Sequence, residues 1–181
     1  GEHLSKLDFP TDFDSVNRAA QRFRYIYDAY LKSPGVKTYL SVIPDKNVFI
    51  ASPNGYPDKD YRALVERLRN GFPGAKYIDI SGNLSVDDFY YTDSHWRQER
   101  ILKVADEIAD KMGAERIGQC EKHDAGVSFY GVYYGQAALP HAPERLFYID
   151  NAVIRGLKVY NVETSSDIPV YDLGAAAGRD P

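Results

Sequence analysis

Two side chains with acid–base chemistry, Asp93 and His95, stand two positions apart in the sequence. A carboxylate beside an imidazole can fix its tautomer and stabilise its cation, and the imidazole can then accept a proton from a hydroxyl nucleophile. At the junction between a strand and a helix, this spacing can place both side chains on the same rim. Asp93 and His95 are therefore the candidate catalytic residues.

Asp93 also has a simpler interpretation, because an Asp or Ser that precedes a helix commonly caps its first amide groups. Two features favour a functional site. The pair follows a predicted strand, and in open α/β sheets ligand sites collect where strands end. Aromatic residues also flank the pair on both sides: Phe89, Tyr90, Tyr91 and Trp96.

The elements that would position the pair alternate between helix and strand. Apolar spacing and β-branched runs predict helices at about 13–30, 58–70 and 97–112 and strands at 36–43 and 77–80. The third helix has one broad aliphatic face and is expected to hold the pair at its N-terminus. Residues 12–113 are therefore predicted to form an α/β portion.

The pattern changes after Gly113. Strands are predicted at 127–138, 145–149 and 153–162, with turns between them, so residues 114–173 are expected to form a β-rich extension without a helix. Residues 174–181 have little to pack against and are expected to be a tail at a truncation point.

Composition excludes several classes of function. The chain has 181 residues, 44% of them apolar, and a net charge of −4 without a basic cluster. A nucleic-acid or anionic-membrane surface is therefore not expected. Cys120 is the only cysteine, so the chain alone can form neither a disulfide nor a cysteine-based zinc site. No apolar run is long enough to cross a membrane, and no signal-peptide pattern is present.

Three stretches resemble known families. Asp93-Ser94-His95-Trp96, after a Tyr-Tyr-Thr lead, is similar to the motif of the DHHW protein family and of the related alginate O-acetyltransferase-like group. Ile43-Pro44-Asp45-Lys46 resembles the family's strand that ends in Pro-x-Lys, and Phe129-Tyr130-Gly131 resembles its Phe-x-Gly segment. The resemblance covers roughly residues 15–162. It implies part of an SGNH-hydrolase-like, flavodoxin-like three-layer sandwich.

The sequence departs from the family pattern at two places. Ser94 stands where the DHHW family has its first histidine, which leaves the important imidazole in place. Arg97-Gln98-Glu99 replaces the usual Thr-x-x-Gly-Ala after the tryptophan, which is expected to alter the pocket wall.

The resemblance implies a Ser-His-Asp mechanism for O-acyl, mainly acetyl, transfer or ester hydrolysis on a carbohydrate. In the resembling enzymes the serine follows much later in the chain, so it is expected beyond residue 181 and the fragment is expected to be inactive. Ser128 is the candidate nucleophile within the chain. The expected substrate-binding residues are Tyr90, Tyr91, Trp96 and Lys46.

The same resemblance implies a carbohydrate or cell-envelope glycan as the partner, an extracytoplasmic location, and no cofactor. Two alternatives stay open. The chain could be a non-catalytic carbohydrate-binding or cell-surface module that keeps the fold. Alternatively, Asp93 and His95 could bind a metal, although no further histidine or carboxylate is spaced to join them, and we expect no metal. The oligomeric state is left open.

Overall fold

The computed structural model describes residues 3–172 and residue 174. The helices are α1 (Phe13–Ile26), α2 (Asn47–Ile50), α3 (Tyr61–Gly71), α4 (Leu102–Met112), α5 (Val132–Ala137) and α6 (Ala152–Gly156). The strands are β1 (Tyr39–Leu40), β2 (Lys76–Tyr77), β3 (Glu121–Phe129), β4 (Glu144–Asp150), β5 (Val159–Asn161) and β6 (Ser166–Ile168). A π turn follows α1 at Tyr27–Leu31, and 3₁₀ turns lie at Ser52–Asn54, Ser81–Asn83, Val86–Asp88 and Gln98–Arg100. Helices are mixed with small sheets, so the predicted α/β class is confirmed at this level.

The chain forms two compact units that interleave along the sequence. The helical unit comprises residues 5–87 and 107–114. The ribbon unit comprises residues 88–106, the residues from 115 onward and the first residues of the chain. The predicted boundary between residues 113 and 114 stays a prediction. Except for Gly174, the predicted tail lies outside the described residues.

The helical unit is organised around α1 and α3. Asp12 and Asp60 cap them, and each carboxylate accepts a hydrogen bond of 2.9 Å from the backbone N–H three residues later. The two helices approach closely where Ala20 meets Gly71, since a Cβ at Gly71 would lie 2.6 Å from that of Ala20. Beyond α3, the Phe72 ring is buried against the rings of two α1 and π-turn residues, Phe23 and Tyr27.

Strands β1 and β2 pair in parallel and are joined through helices, as a βαβ connection requires. The strand predicted at 36–43 contains β1, but the one predicted at 77–80 shares only Tyr77 with β2, and both are much shorter in the structure. Side chains replace the ladder beyond the paired residues: the Ser41 hydroxyl donates to the carbonyl of Ile78 at 3.0 Å, and the Tyr61 hydroxyl donates to the carbonyl of Val42 at 2.9 Å.

The ribbon unit is built on the antiparallel β3–β4 ribbon, whose register runs from Glu121 opposite Asp150 to Phe129 opposite Glu144. The register shifts near Gly126, which adopts a φ of +73° and donates its N–H to the Asp124 carboxylate at 2.8 Å. A second antiparallel pair is formed by β5 and β6.

The expectation that residues 114–173 contain no helix was wrong. The predicted strand at 127–138 ends at Phe129 and is followed by α5. The first part of the predicted strand at 153–162 is replaced by α6, and only Val159–Asn161 form a strand, β5. A cap explains the second error: the Asn151 side chain accepts the N–H of Ile154 at 2.9 Å and starts a helix despite the β-branched residues that follow.

The third helix was also predicted too long at its N-terminus. α4 begins at Leu102, after the turn Gln98–Arg100, and the backbone of Arg97 is extended with φ −85° and ψ 129°. A helix therefore cannot include Arg97. Asp93 does not cap α4, which begins nine residues later, so contacts other than this helix hold Asp93 and His95.

Candidate active site

Residues 88–97, which we call the dyad loop, fold back on themselves as a short hairpin. Phe89 and Trp96 form an antiparallel bridge. Next to it, the N–H of Tyr90 donates to the carbonyl of His95 at 3.1 Å, and the N–H of Arg97 donates to that of Asp88 at 2.7 Å. The bridge fixes both ends of the segment that carries Asp93 and His95.

Within this loop, Asp93 and His95 are in direct contact. The Oδ1 atom of Asp93 lies 2.5 Å from Nδ1 of the His95 ring and also accepts the backbone N–H of His95 at 2.9 Å. The carboxylate is buried, with 5% of the Asp93 side chain exposed, whereas 78% of the His95 side chain is exposed. The loop thus presents an imidazole to solvent with a buried carboxylate behind it.

The protonation state of Asp93 determines which His95 nitrogen is basic. Burial by itself would raise the pKa of the Asp93 carboxyl, but hydrogen bonds from the N–H groups of Val132 and His95, together with the His95 ring, lower the pKa below its ordinary 3.8. At neutral pH Asp93 is therefore an anion, which can only accept hydrogen bonds. Nδ1 of His95 must be the donor, and Nε2 is left as the basic atom of the neutral ring.

A second segment, residues 131–133, holds Asp93 from the other side. The N–H of Val132 donates to Oδ2 of Asp93 at 3.0 Å, and the N–H of Tyr133 donates to the carbonyl of Thr92 at 2.9 Å. Gly131 allows the approach, because a Cβ at this position would lie 2.3 Å from the carbonyl oxygen of Thr92 and 2.5 Å from Cβ of Asp93. Both oxygens of Asp93 are thereby fixed.

A buried ion pair lies below the loop. Glu144, the first residue of β4, accepts the Thr92 N–H at 3.0 Å, and its other oxygen lies 2.6 Å from the guanidinium of Arg97. The Glu144 side chain is 3% exposed and that of Arg97 is 15% exposed. Charge-assisted hydrogen bonds of this kind are among the stronger ones in proteins.

The aromatic residues of the loop differ in their surroundings. Tyr90 is buried against Phe129, with ring centroids 4.7 Å apart, and its burial, followed by the nearby Glu99 carboxylate, raises its pKa to about 12. Tyr91 is half-buried and packs against two imidazoles, those of His3 at 4.6 Å and His141 at 5.8 Å. Trp96 is half-buried. Only Tyr91 and Trp96 retain partly exposed rings for a ligand.

Lys46 and Ser128 are not part of the dyad loop. Lys46 belongs to the helical unit, where its side chain is buried at 1% exposure. Ser128 is exposed on β3, opposite Arg145. The structure thus brings together Asp93 and His95 within one loop.

The sequence did not predict the supporting contacts of three residues around the pair: Thr92, Arg97 and Glu144. Arg97 was expected only to alter the pocket wall. Thr92 and Arg97 lie inside or beside the motif and could have been suspected from their position. Glu144 had no usable signal, since an acidic residue next to Pro143 is typical of an exposed turn. Its two partners, Arg97 and Thr92, precede it by 47 and 52 positions in the sequence.

Among residues 3–172 and 174, no three side chains of His, Cys, Asp or Glu come together as a metal site would require. Across the same described part of the chain, the helices lack the combined length and apolar character needed to cross a bilayer.

Comparison with protein-family models and with curated proteins gives no match for this sequence. The fold is similar to that of a solved structure, a DHHW family protein from Eubacterium siraeum DSM 15702, with a TM-score of 0.62 and 15% sequence identity. The similarity covers 81% of this chain and 50% of that structure's chain, so the present chain spans about half its length. At this identity the comparison establishes a shared fold.

Proposed function

We propose that the chain carries the acid–base pair of a Ser-His-Asp site for O-acyl transfer to a carbohydrate, mainly of acetyl groups, or for ester hydrolysis on one. The observation that carries the proposal is the contact of 2.5 Å between a buried, anionic Asp93 and a solvent-exposed His95. The fold shared with a DHHW family protein supports it. Membership of that family, an SGNH-type three-layer sandwich and an extracytoplasmic location are parts of the same proposal.

Each residue has a defined part in the proposed reaction. Nε2 of His95 takes the proton of a serine hydroxyl while the serine oxygen attacks the ester carbonyl carbon. Asp93 keeps the Nδ1–H bond and stabilises the imidazolium. His95 then gives the proton to the leaving alcohol, and an acyl-serine remains. Water or a sugar hydroxyl, deprotonated in turn by His95, attacks this acyl group and releases the serine.

The nucleophile is assigned to a serine outside the present sequence. This chain spans about half of the DHHW structure that shares its fold, so a further segment of such a protein would be available to supply it. Ser128 is the weaker candidate, because it lies on the exposed side of β3 and no hydrogen bond joins it to the dyad loop among the contacts described above.

Substrate contact is assigned to the partly exposed rings of Tyr91 and Trp96, which are suited to stacking on the apolar face of a pyranose. Tyr90 is omitted because its ring is packed in the interior of the ribbon unit. Lys46 is omitted because its side chain is almost completely buried.

The test uses the gene product that contains this sequence, at its natural length, with 4-nitrophenyl acetate as substrate. Replacing His95 by Ala or Asp93 by Asn should lower kcat by roughly 10³-fold or more, since members of such triads act as a unit. His123→Ala, which removes an imidazole on β3, is the matched control and should keep wild-type turnover. Unchanged turnover in His95→Ala would refute the proposal. Glycan binding without any turnover in the wild type would instead favour a non-catalytic module.

A further inference from the structure

We propose that Glu144 is a positioning residue for the Asp93–His95 pair, acting as a buried clamp on the dyad loop. The inference rests on the proposed function and deepens it. Glu144 lies on β4, outside the dyad loop, and none of the contacts described above joins it to Asp93 or His95. It binds the residues on either side of them, Thr92 and Arg97.

The contact on the Thr92 side is double. One oxygen of Glu144 accepts both the backbone N–H of Thr92 at 3.0 Å and its hydroxyl at 3.3 Å. Thr92 is completely buried, so its polar groups have no access to water. Because an unpaired buried donor costs free energy, Glu144 fixes the backbone immediately before Asp93.

The contact on the Arg97 side is ionic. The other oxygen of Glu144 lies 2.6 Å from the guanidinium, whose Nε also donates to the carbonyl of Phe89 at 3.3 Å. The guanidinium carbon also lies 5.3 Å from the ring centroids of Tyr90 and Tyr91, within the range of a cation–π contact. Glu144 therefore fixes the loop after His95 through a side chain that is itself held from three directions.

The hydroxyl of Thr92 extends the clamp to the segment that binds Asp93. The N–H of Gly131 donates to this hydroxyl at 2.9 Å, so the hydroxyl's own proton is directed to Glu144. The next residue, Val132, is the donor to Oδ2 of Asp93. The Glu144 carboxylate thus orders the dyad loop and, through Thr92 and Gly131, the Val132 amide that binds Asp93.

These contacts predict a specific consequence for the His95 ring. Asp93 keeps the neutral ring in its Nδ1–H tautomer only while its Oδ1 atom stays within hydrogen-bond distance of Nδ1. Without the clamp, the backbone at Thr92 and Arg97 can shift and the contact lengthens. The ring should then move towards the Nε2–H tautomer, in which Nε2 is no longer a base.

The test measures the ¹⁵N chemical shifts of the His95 ring in the 181-residue chain, at a pH that keeps the ring neutral. Glu144→Gln retains the shape but replaces one acceptor oxygen with a donor that faces other donors. We expect the ratio of Nδ1–H to Nε2–H to fall about tenfold, the equivalent of about 1.4 kcal/mol. Two controls accompany it. Glu121→Gln makes the same change on the exposed end of β3, and Ile154→Ala destabilises the same unit by opening its core at a buried side chain of α6.

A tautomer shift in Glu144→Gln, with wild-type ratios in both controls, would establish the positioning role. A wild-type ratio in Glu144→Gln, or an equal shift in Ile154→Ala, would overturn it. If Glu144→Gln does not fold, Glu144→Asp decides by the same criteria, because it keeps the charge but shortens the side chain, so that the contacts with Thr92 and Arg97 cannot both keep their present lengths. The ring measurement needs no substrate, so its outcome is distinct from success or failure of the esterase test.

Discussion

Gly131→Ala should disturb the candidate site through sterics alone. The backbone of Gly131, with φ −78° and ψ 171°, is accessible to any residue, so the glycine is not needed for conformation. The added Cβ would, however, lie 2.3 Å from the Thr92 carbonyl oxygen and 2.5 Å from Cβ of Asp93. No flexible side-chain end can yield at these atoms, so the segment 131–133 must move away from the dyad loop.

The size of the effect follows from three contributions. Overpacking of a buried contact costs about 1–3 kcal/mol. Movement of the segment also weakens the hydrogen bond from Val132 to the charged Asp93, and such a bond contributes about 1.5–3 kcal/mol. Alanine also lowers the conformational entropy of the unfolded chain, which stabilises the folded state by about 0.4–1 kcal/mol. We therefore expect Gly131→Ala to lower the free energy of unfolding by about 2–5 kcal/mol.

The assay is urea denaturation followed by the fluorescence of Trp96, the only tryptophan, which lies in the dyad loop. Gly135→Ala is the matched control: it lies within α5, and no atom lies within 4 Å of its added Cβ. Because alanine favours a helix over glycine, this control should gain up to about 1 kcal/mol. Equal stability of the two variants would refute the steric reasoning.

Two further predictions concern stability. The pKa of Asp93 is lowered on folding, so the ionised carboxylate contributes to the free energy of unfolding above pH 3.8, and this contribution is lost as the pH falls below that value. In urea denaturation between about pH 2 and pH 6, Asp93→Asn should therefore lose less stability on acidification than the wild type. Equal pH slopes would contradict this. Asn151→Ala removes the cap of α6 and also the hydrogen bonds that the Asn151 Nδ2 group donates to the carbonyls of Ile117 and Gln119, so it should lower the free energy of unfolding by more than the about 1–2 kcal/mol of a cap alone. Asn70→Ala, on the exposed side of α3, is the control and should not destabilise; an equal loss in both would count against the cap.

The local features of the chain could be predicted from the sequence. The helices α1 and α3 were recognisable because apolar spacing acts over a few residues. The contact between Asp93 and His95 could be expected for the same reason, since two positions of separation are enough to bring their side chains together.

The errors and omissions all involve contacts over longer distances or a competing cap. Strand propensity suggested an extended segment at Val153 and Ile154, but one side-chain acceptor at Asn151 was sufficient to start α6. The extension expected for the third helix failed at Arg97, whose guanidinium is engaged by Glu144 instead. No local pattern identifies Glu144 as buried, because its partners are brought to it by the fold and not by the neighbouring sequence.

The separation between the dyad loop and its supports has a consequence for biosynthesis. The hydrogen bonds that hold the loop join residues 39 and 52 positions apart, so Asp93 and His95 leave the ribosome well before Val132 and Glu144. Until β4 has been synthesised and paired, the loop lacks the groups that order it, and closing such long segments carries an entropic cost. Chains that stop short of residue 144 should therefore contain the whole motif and still lack the geometry that would make it reactive.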